Sequence, residues 1–403
     1  MTFDPRQNRN ALTTVNIFCL RNTLILRDTL MTATATDLKT KLEPLINPWI
    51  KGKNHINLVV GVVQGEQRQI ASWGTLQPSG KAVDDTTLFE IGSVTKVFTI
   101  TLLAILVEQG KLALETPVNQ MGEAYQKLPD TVTLESLATH TSGLPRLPSN
   151  LDKSVRQDKN NPYNAYTVED LYEYLQTWDN QPGKTTGIIS YSNLGVGLLG
   201  HILTEFLGLS YEDAIAQYIC NPLNLSDTCI TLNAAQKQRF AQGYNEDGKP
   251  VQPWDLPTLA GAGALRSTAT DLLTFMAANW QSPSFANPKM RELRYQEFAP
   301  NSGLYGVVEK LGDWVQKWRG QPLVQREMRG ISLGWMLEYL PLRDRVVYTY
   351  TGGTAGHRAF CGFIEEAQTG VVVLSNYGDD FASIFGRYAI DKVGLKILET
   401  LSI

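Results

Sequence analysis

The residues of this chain best suited to chemistry are a serine and a lysine, Ser93 and Lys96, at the start of a strongly apolar segment. Their spacing is nearly one turn of a helix, so the two side chains would share one helical face. A serine hydroxyl becomes a good nucleophile when a neighbouring base takes its proton, and a lysine amine serves as that base when burial keeps it neutral. The pair therefore predicts a serine nucleophile activated by a lysine.

The segment after this pair supports that interpretation. The run from Val97 to Val107 is apolar on nearly every side, which is typical of a helix buried in a core, and Gly110 stands at a usual stop position. The alternative is a helix-capping serine followed by a surface lysine. A surface helix would carry a polar face, so the sequence favours the buried pair.

A second motif, Tyr191-Ser192-Asn193, precedes another apolar run that extends to Leu207. A phenol with a lowered pKa can pass a proton to a leaving group or activate water, and a carboxamide can hold a substrate amide or the lysine amine. Taken alone, the motif also fits a helix start in which the tyrosine ring packs and Asn193 acts as the cap.

A third motif is the glycine-rich run from Tyr350 to Gly356, which ends a β-rich segment. Glycines there permit close approach of the backbone, and a strand can offer an N–H group to a substrate oxygen. The alternative is an ordinary β-turn around the Gly-Gly pair.

The composition is that of a folded globular protein with a small negative charge. The 403 residues include 43% hydrophobic and 19% charged residues, and 36 Lys and Arg face 40 Asp and Glu, a net charge of −4. Nucleic acid and anionic membranes call for a basic excess, so we expect neither as a partner. The four histidines and four cysteines lack metal-binding spacings, so we expect no metal, no other cofactor, and buried free thiols.

The N-terminal residues do not resemble the rest of the chain. Their apolar patches are interrupted by Arg21 and Arg27, which makes a poor secretory signal. We expect residues 1–30 to be a disordered leader outside the fold, and the cellular location is left open. No run reaches the roughly 20 apolar residues of a membrane-spanning helix.

The periodicity of the chain predicts its architecture. Short β-rich runs stand near both ends and helical patterns fill the middle, so we expect an α/β (α+β) fold in which helices flank an antiparallel sheet and a mainly helical domain is inserted. The sheet domain would comprise residues 31–111 and 334–403. The helical domain would span 112–333, with an extra insertion at about 296–329. The predicted strands are 56–63, 69–73, 333–340, 346–351, 358–364 and 369–375.

The order of the three motifs resembles that of the serine β-lactamase and penicillin-binding protein superfamily. The resemblance is closest to the branch of class C β-lactamases, D-Ala-D-Ala carboxypeptidases and family VIII esterases. It extends from about Leu42 to Leu401 and includes the stretches LESLATHTSG, GAGALRSTATDL and SLGWM.

The resemblance implies a role for each motif residue. Ser93 would form an acyl-enzyme, Lys96 would accept its proton, and Tyr191 would assist proton transfer to the leaving group and activate the deacylating water. Asn193 would orient the acyl amide or the lysine. The backbone N–H groups of Ser93 and Gly353 would form the oxyanion hole.

One position departs from the family pattern. The third motif usually begins with lysine or histidine, whereas this chain has Tyr350, followed by Thr351 and Gly352 in the substrate-binding strand. A phenol offers a carboxylate only a hydrogen bond. Arg358 is the nearby candidate for the missing positive charge.

The expected function is that of a serine hydrolase that acts on β-lactams or D-Ala peptides as a monomer. The alternatives are a family VIII carboxylesterase acting on small acyl esters and a catalytically silent binding module. Ser332 lies in a Gly-x-Ser-x-Gly pattern, but we expect a strand entry there because β-rich sequence follows. We expect a structural role for His140 and capping or solvated roles for Glu90, Asp255 and Asp271.

Overall fold

The computed structural model describes residues 35–401 apart from 78, 179–186, 283–284, 286–289, 291, 296–326, 341–343 and 379–389. The leader predicted at 1–30 and nearly all of the insertion predicted at 296–329 lie outside the described residues. The division of the chain into domains at the boundaries given above stays a prediction.

The central feature is a seven-stranded antiparallel sheet with the strand order β2-β1-β9-β8-β7-β6-β5. A separate pair, β3 and β4, carries the segment before Ser93. The sheet therefore joins strands from both ends of the sequence, as the β-rich runs predicted. The strands are β1 (Leu58–Gln64), β2 (Gln67–Trp73), β3 (Phe89–Glu90), β4 (Arg266–Ser267), β5 (Glu327–Ile331), β6 (Met336–Leu340), β7 (Arg345–Gly353), β8 (Arg358–Ile364) and β9 (Thr369–Ser375).

Helices cover both faces of this sheet and fill the middle of the chain. Their bounds are α1 (Ala35–Ile50), α2 (Thr95–Glu108), α3 (Leu134–Ala138), α4 (Asp152–Gln157), α5 (Val168–Thr177), α6 (Asn193–Leu207), α7 (Tyr211–Ile215), α8 (Asn221–Leu223), α9 (Ala234–Lys237), α10 (Ala269–Gln281) and α11 (Ile390–Leu401). A π-helical stretch, Ala216–Cys220, connects α7 to α8.

Side chains of β1 alternate between two hydrophobic cores. Leu58, Val60 and Val62 pack with α1 and α11, whereas Val59 and Val63 face the larger core that contains α2, α6 and α10. This alternation is the period of a strand buried on both faces. The larger core extends from the sheet into the helical region, so both parts of the chain pack against one another.

Helix α1 and strand β5 are among the elements that differ from the sequence expectation. Helix α1 was not predicted; Pro44 and Pro48 lie inside it, and proline usually breaks a helix. Strand β5 belongs to the sheet, although the sequence placed its residues in the helical region. It is an edge strand with a register shift between Met328 and Gly330, so its alternation is weak.

Helix α2 is buried almost all round, as its apolar sequence predicted. Every residue from Thr95 to Ala104 is buried. A short 3-10 turn, Gly92–Val94, precedes it and carries Ser93. In the described part of the chain, no single helix has the length and apolar character to cross a membrane. Helix α6 and the segment α7–α8 reach this length and apolar character only together, and the chain bends by 81° between them.

Glycines bring the turn of Ser93 against the end of β7. A Cβ atom at Gly352 would lie 1.9 Å from the carbonyl oxygen of Ile91 and 3.0 Å from the backbone nitrogen of Ser93. On the other side, Gly92 has a φ of +48°, and a Cβ there would be 2.6 Å from the Gly353 nitrogen. Only glycine allows this approach of two backbones.

We expect Gly352→Ala to lower the free energy of unfolding by about 1–3 kcal/mol, because the new methyl group meets backbone atoms that cannot move aside cheaply. Urea denaturation of both proteins measures the difference. The matched control is Thr351→Ala, an exposed residue of the same strand, which should change the value by less than about 0.5 kcal/mol. Equal stability of Gly352→Ala and the unaltered protein would contradict this account of the contact.

Candidate active site

The site is built around Lys96, which lies in the first turn of α2 beneath Ser93. The lysine is 0% exposed. Its Nζ atom is 3.0 Å from Ser93 Oγ and 2.6 Å from the carbonyl oxygen of Ala262. The amine therefore has two oxygen partners within hydrogen-bond distance, one of which is the predicted nucleophile.

Burial decides the protonation state of Lys96. Removal from water lowers the pKa of its amine well below the usual range, and the positive charge of Arg146 lowers it further. Burial therefore favours the neutral form of the amine. A neutral amine has a lone pair, so Lys96 is able to accept a proton from Ser93.

The partner carbonyl of Lys96 is held by a second glycine contact. The turn Ala260–Ala262 packs on α6, where a Cβ at Gly200 would be 2.9 Å from the Cα atom of Gly261. This close packing places Ala262 over the buried amine. It also gives a structural reason for the GAGAL sequence that contributed to the resemblance.

The tyrosine of the second motif contacts the same serine. The Tyr191 hydroxyl donates to Ser93 Oγ at 2.8 Å. Ser192 fixes this tyrosine at the start of α6, because its side chain accepts from the Gly195 nitrogen at 2.8 Å and donates to the Pro145 carbonyl at 2.6 Å. The structure thus brings Ser93, Lys96 and Tyr191 together, as the sequence predicted.

His140 links the second and third motifs. Its Nδ1 atom accepts from the Ser192 nitrogen at 3.2 Å, and its Nε2 atom is 3.2 Å from the hydroxyl of Tyr350. Burial lowers the pKa of His140 to about 3, so the ring is neutral. Since Nδ1 accepts, the proton lies on Nε2 and is donated to Tyr350. These bonds are structural, in line with the role expected for His140.

The residues of the third motif take different positions. Tyr350 is 3% exposed with His140 as a partner, so its part in substrate binding stays a prediction. Thr351 is exposed, Gly352 is in the glycine contact, and Gly353 lines the cleft. Arg358 pairs with Gly353 in β8 and donates through Nη1 to the carbonyls of Thr354 at 2.6 Å and His357 at 2.8 Å.

A cleft open to solvent lies over Ser93. Asn193 lines it, and its role in holding the acyl group stays a prediction. The sequence did not single out its aromatic wall, in which Tyr163 and Trp254 meet edge to face with ring centroids 5.5 Å apart. The lining residues are Gly92, Ser93, Tyr163, Asn193, Trp254, Leu256, Ala262, Gly263 and Gly353.

Glu90 is buried, although the sequence suggested a capping or solvated role. Its carboxylate accepts from the Trp254 nitrogen and from the Thr354 hydroxyl, both at 2.7 Å. It is 4% exposed, and burial raises its pKa. Glu90 thus ties the aromatic wall to the segment after Gly353. Asp271 is also buried, whereas Asp255 is exposed as expected.

The competing serine does not lie in a nucleophile elbow. Ser332 is 0% exposed in the turn between two antiparallel strands, and its hydroxyl donates to the Trp335 carbonyl at 3.1 Å. The downstream His357 is also buried, and its Nδ1 atom accepts from the Glu90 nitrogen at 3.1 Å. The Gly-x-Ser-x-Gly match is therefore a coincidence of sequence, as predicted.

Among the described cysteines, Cys220 and Cys361 are buried free thiols and Cys229 is a partly exposed one.

Comparison with known proteins agrees with this geometry. The sequence profile of the family Beta-lactamase matches residues 45–394. The β-lactamase of Pseudomonas fluorescens is 27% identical over 363 residues, which cover 85% of this chain and 94% of that protein. The β-lactamase of Providencia stuartii is 30% identical over 355 residues, which cover 83% and 86%.

Solved structures give the same result. The class C β-lactamase from Rhodobacter sphaeroides aligns with a TM-score of 0.66 at 25% identity and covers 89% of this chain and 99% of its own. A class C β-lactamase mutant aligns with a TM-score of 0.69 at 23% identity, covering 92% and 100%, which shows a shared fold. The chain therefore belongs to the beta-lactamase family, within the serine β-lactamase and penicillin-binding protein superfamily, and is a serine hydrolase of that type.

Proposed function

We propose that this enzyme hydrolyses β-lactam or D-Ala-type amide bonds through a covalent acyl ester on Ser93. The observation that carries the proposal is the contact of Ser93 Oγ with Lys96 Nζ at 3.0 Å and with the Tyr191 hydroxyl at 2.8 Å. A nucleophile within hydrogen-bond reach of a neutral base is the arrangement that acyl transfer requires.

In the acylation step, Lys96 takes the proton of Ser93 while Oγ attacks the acyl carbonyl. The negative charge that forms on the carbonyl oxygen is bound by the backbone N–H groups of Ser93 and Gly353, a role that the close approach of the Ser93 turn to the end of β7 supports. Loss of one such donor costs about 3 kcal/mol of transition-state stabilisation. The leaving nitrogen then departs with a proton supplied by the Tyr191 hydroxyl.

In the deacylation step, water attacks the ester on Ser93. Tyr191 and Lys96 are the groups next to Oγ that can take a proton from this water and return one to the serine. Asn193 lines the cleft at the start of α6 and orients the acyl group during both steps. Arg358, beside Gly353, and Thr351, on the exposed edge of β7, are proposed to contact the substrate.

Two features bear on the substrate class: the family of the chain and the tyrosine at position 350. The curated relatives described above carry the name β-lactamase, which favours a β-lactam substrate. Tyr350 favours the alternative, a family VIII carboxylesterase acting on small acyl esters, because its buried phenol brings no charge for a substrate carboxylate. A silent binding module would have no use for a nucleophile and a neutral base in contact.

We propose that the enzyme works as a monomer.

Identification of the nucleophile is the first prediction. Intact mass measured after exposure to a fluorophosphonate, and separately to a penicillin, should show one adduct on the unaltered protein and on Ser332→Ala, and none on Ser93→Ala. Ser332→Ala is the matched control because that hydroxyl is buried in a turn. Labelling that persists in Ser93→Ala and disappears in Ser332→Ala would refute the mechanism.

The second prediction concerns pH. Because burial lowers the pKa of Lys96 well below the usual value of a lysine, the amine loses its proton at a lower pH than a free lysine, and the rate of Ser93 labelling should level off at a correspondingly lower pH. The rate should fall as pH drops through the lowered pKa. We expect less than a threefold gain between about pH 8 and about pH 10, measured with a neutral fluorophosphonate. A rate that rises about tenfold per unit throughout this range would mean that Lys96 is charged at rest.

The third prediction separates the substrate classes. Turnover that depends on Ser93 should be found with a β-lactam, and kcat/KM for it should exceed the values for a D-Ala-D-Ala peptide and a short-chain nitrophenyl ester. Ser93→Ala supplies the background for each compound. The esterase alternative gains if the nitrophenyl ester is hydrolysed efficiently while the β-lactam and the peptide only acylate the enzyme or do not react.

A further inference from the structure

The mechanism above gives one charged residue near the cleft no part beyond its effect on the pKa of Lys96. Arg146 is exposed, and its guanidinium carbon lies 5.1 Å from the ring centroid of Tyr191. Its backbone is fixed to the start of α6, because its carbonyl accepts from the nitrogens of Asn193 at 3.0 Å and Leu194 at 3.2 Å. The guanidinium is therefore held across one tyrosine ring from the nucleophile.

The positive charge of Arg146 reaches both sides of the cleft. It adds to burial in lowering the pKa of Lys96 and of His140, and it opposes the rise that burial causes in the pKa of Tyr163. Tyr163 lines the cleft and Tyr191 contacts Ser93. Arg146 lies over the ring of Tyr191, next to the residues that line the cleft.

Within the described residues, Arg146 forms no ion pair with a carboxylate. Arg239 and Arg266, by contrast, each lie within 4.0 Å of an acidic side chain. Of the other basic side chains near Ser93, Lys96 is buried and bonded to Ser93 and Ala262, and Arg358 donates to two backbone carbonyls. An exposed arginine retains the geometry to form paired hydrogen bonds with a carboxylate.

We propose that Arg146 is a specificity-determining residue that binds a carboxylate on the acyl part of the substrate. The acyl side is inferred from the direct backbone bond between Arg146 and Asn193, the residue assigned to orient the acyl group. The inference rests on the proposed acyl transfer at Ser93. It places recognition of an acyl-side carboxylate at the loop before α6.

A matched pair of esters tests the proposal. Nitrophenyl butyrate and mono-nitrophenyl glutarate have the same leaving group and differ mainly in the terminal carboxylate. We expect the unaltered enzyme to have the higher kcat/KM with the glutarate. Arg146→Gln should lower kcat/KM for the glutarate by about fivefold to tenfold, largely through KM, and change the butyrate value by less than about twofold.

Two further variants and salt complete the test. Arg146→Lys keeps the charge and should retain part of the preference, while Arg156→Gln, at an exposed arginine of α4, should leave both esters unchanged. Added salt should reduce the glutarate preference because the contact is exposed. Equal losses for both esters in Arg146→Gln, measured on the pH plateau of each variant, would overturn the proposal in favour of a structural role.

Failure of the proposed function has a different signature. If neither ester is hydrolysed by the unaltered enzyme above the Ser93→Ala background, acyl transfer at Ser93 is refuted and the Arg146 proposal is refuted with it. If both esters are hydrolysed through Ser93 without a preference that depends on Arg146, only the Arg146 proposal is refuted.

Discussion

The removal of Lys96 from water is the constraint on which the rest of the site depends. An ammonium group buried without a counterion costs several kcal/mol, so the group stays neutral instead. A buried neutral amine still needs hydrogen-bond partners, and it finds them in Ser93 Oγ and the Ala262 carbonyl. The apolar sequence of α2 therefore serves the chemistry directly, because it holds the base in the state that can accept a proton.

Two glycine contacts make that burial compatible with an open cleft. Gly92 and Gly352 let the turn of Ser93 touch the end of β7, and Gly200 and Gly261 let the Ala262 turn touch α6. Each contact joins segments that are far apart in sequence without a side chain between them. The nucleophile, its base and the strand N–H group are thus positioned by backbone packing, which is stiffer than contact through long side chains.

Sequence predicted the parts of this arrangement that depend on local signals. The bounds of β8 and β9 match the predicted ones, because short β-rich runs are a property of neighbouring residues. Helix α1 also carries a local signal, although two prolines lie inside it: the buried residues Leu38, Leu42, Ile46 and Trp49 recur at helical spacing. That spacing indicates a helix.

The residues of the candidate site also fall into two groups: those that local sequence signals reveal and those that only the folded chain brings together. The motifs around Ser93 and Tyr191 are short and could be found in the sequence. The roles of Glu90 and Trp254 could not, because their hydrogen bond joins residues 164 positions apart and exists only in the folded chain. Arg146 was missed for a related reason. A single exposed arginine is an ordinary surface residue until the fold sets it over the ring of Tyr191.

Tyr350 is uncharged, like the buried His140 ring that it contacts. Neutral His140 donates to the Tyr350 hydroxyl through Nε2, and its pKa of about 3 keeps it neutral over the whole range near pH 7. A lysine at 350 would point its ammonium at this N–H donor, with no acceptor on the ring to receive it. The tyrosine that begins the third motif and the buried histidine are therefore coupled, and position 350 adds no positive charge to the cleft.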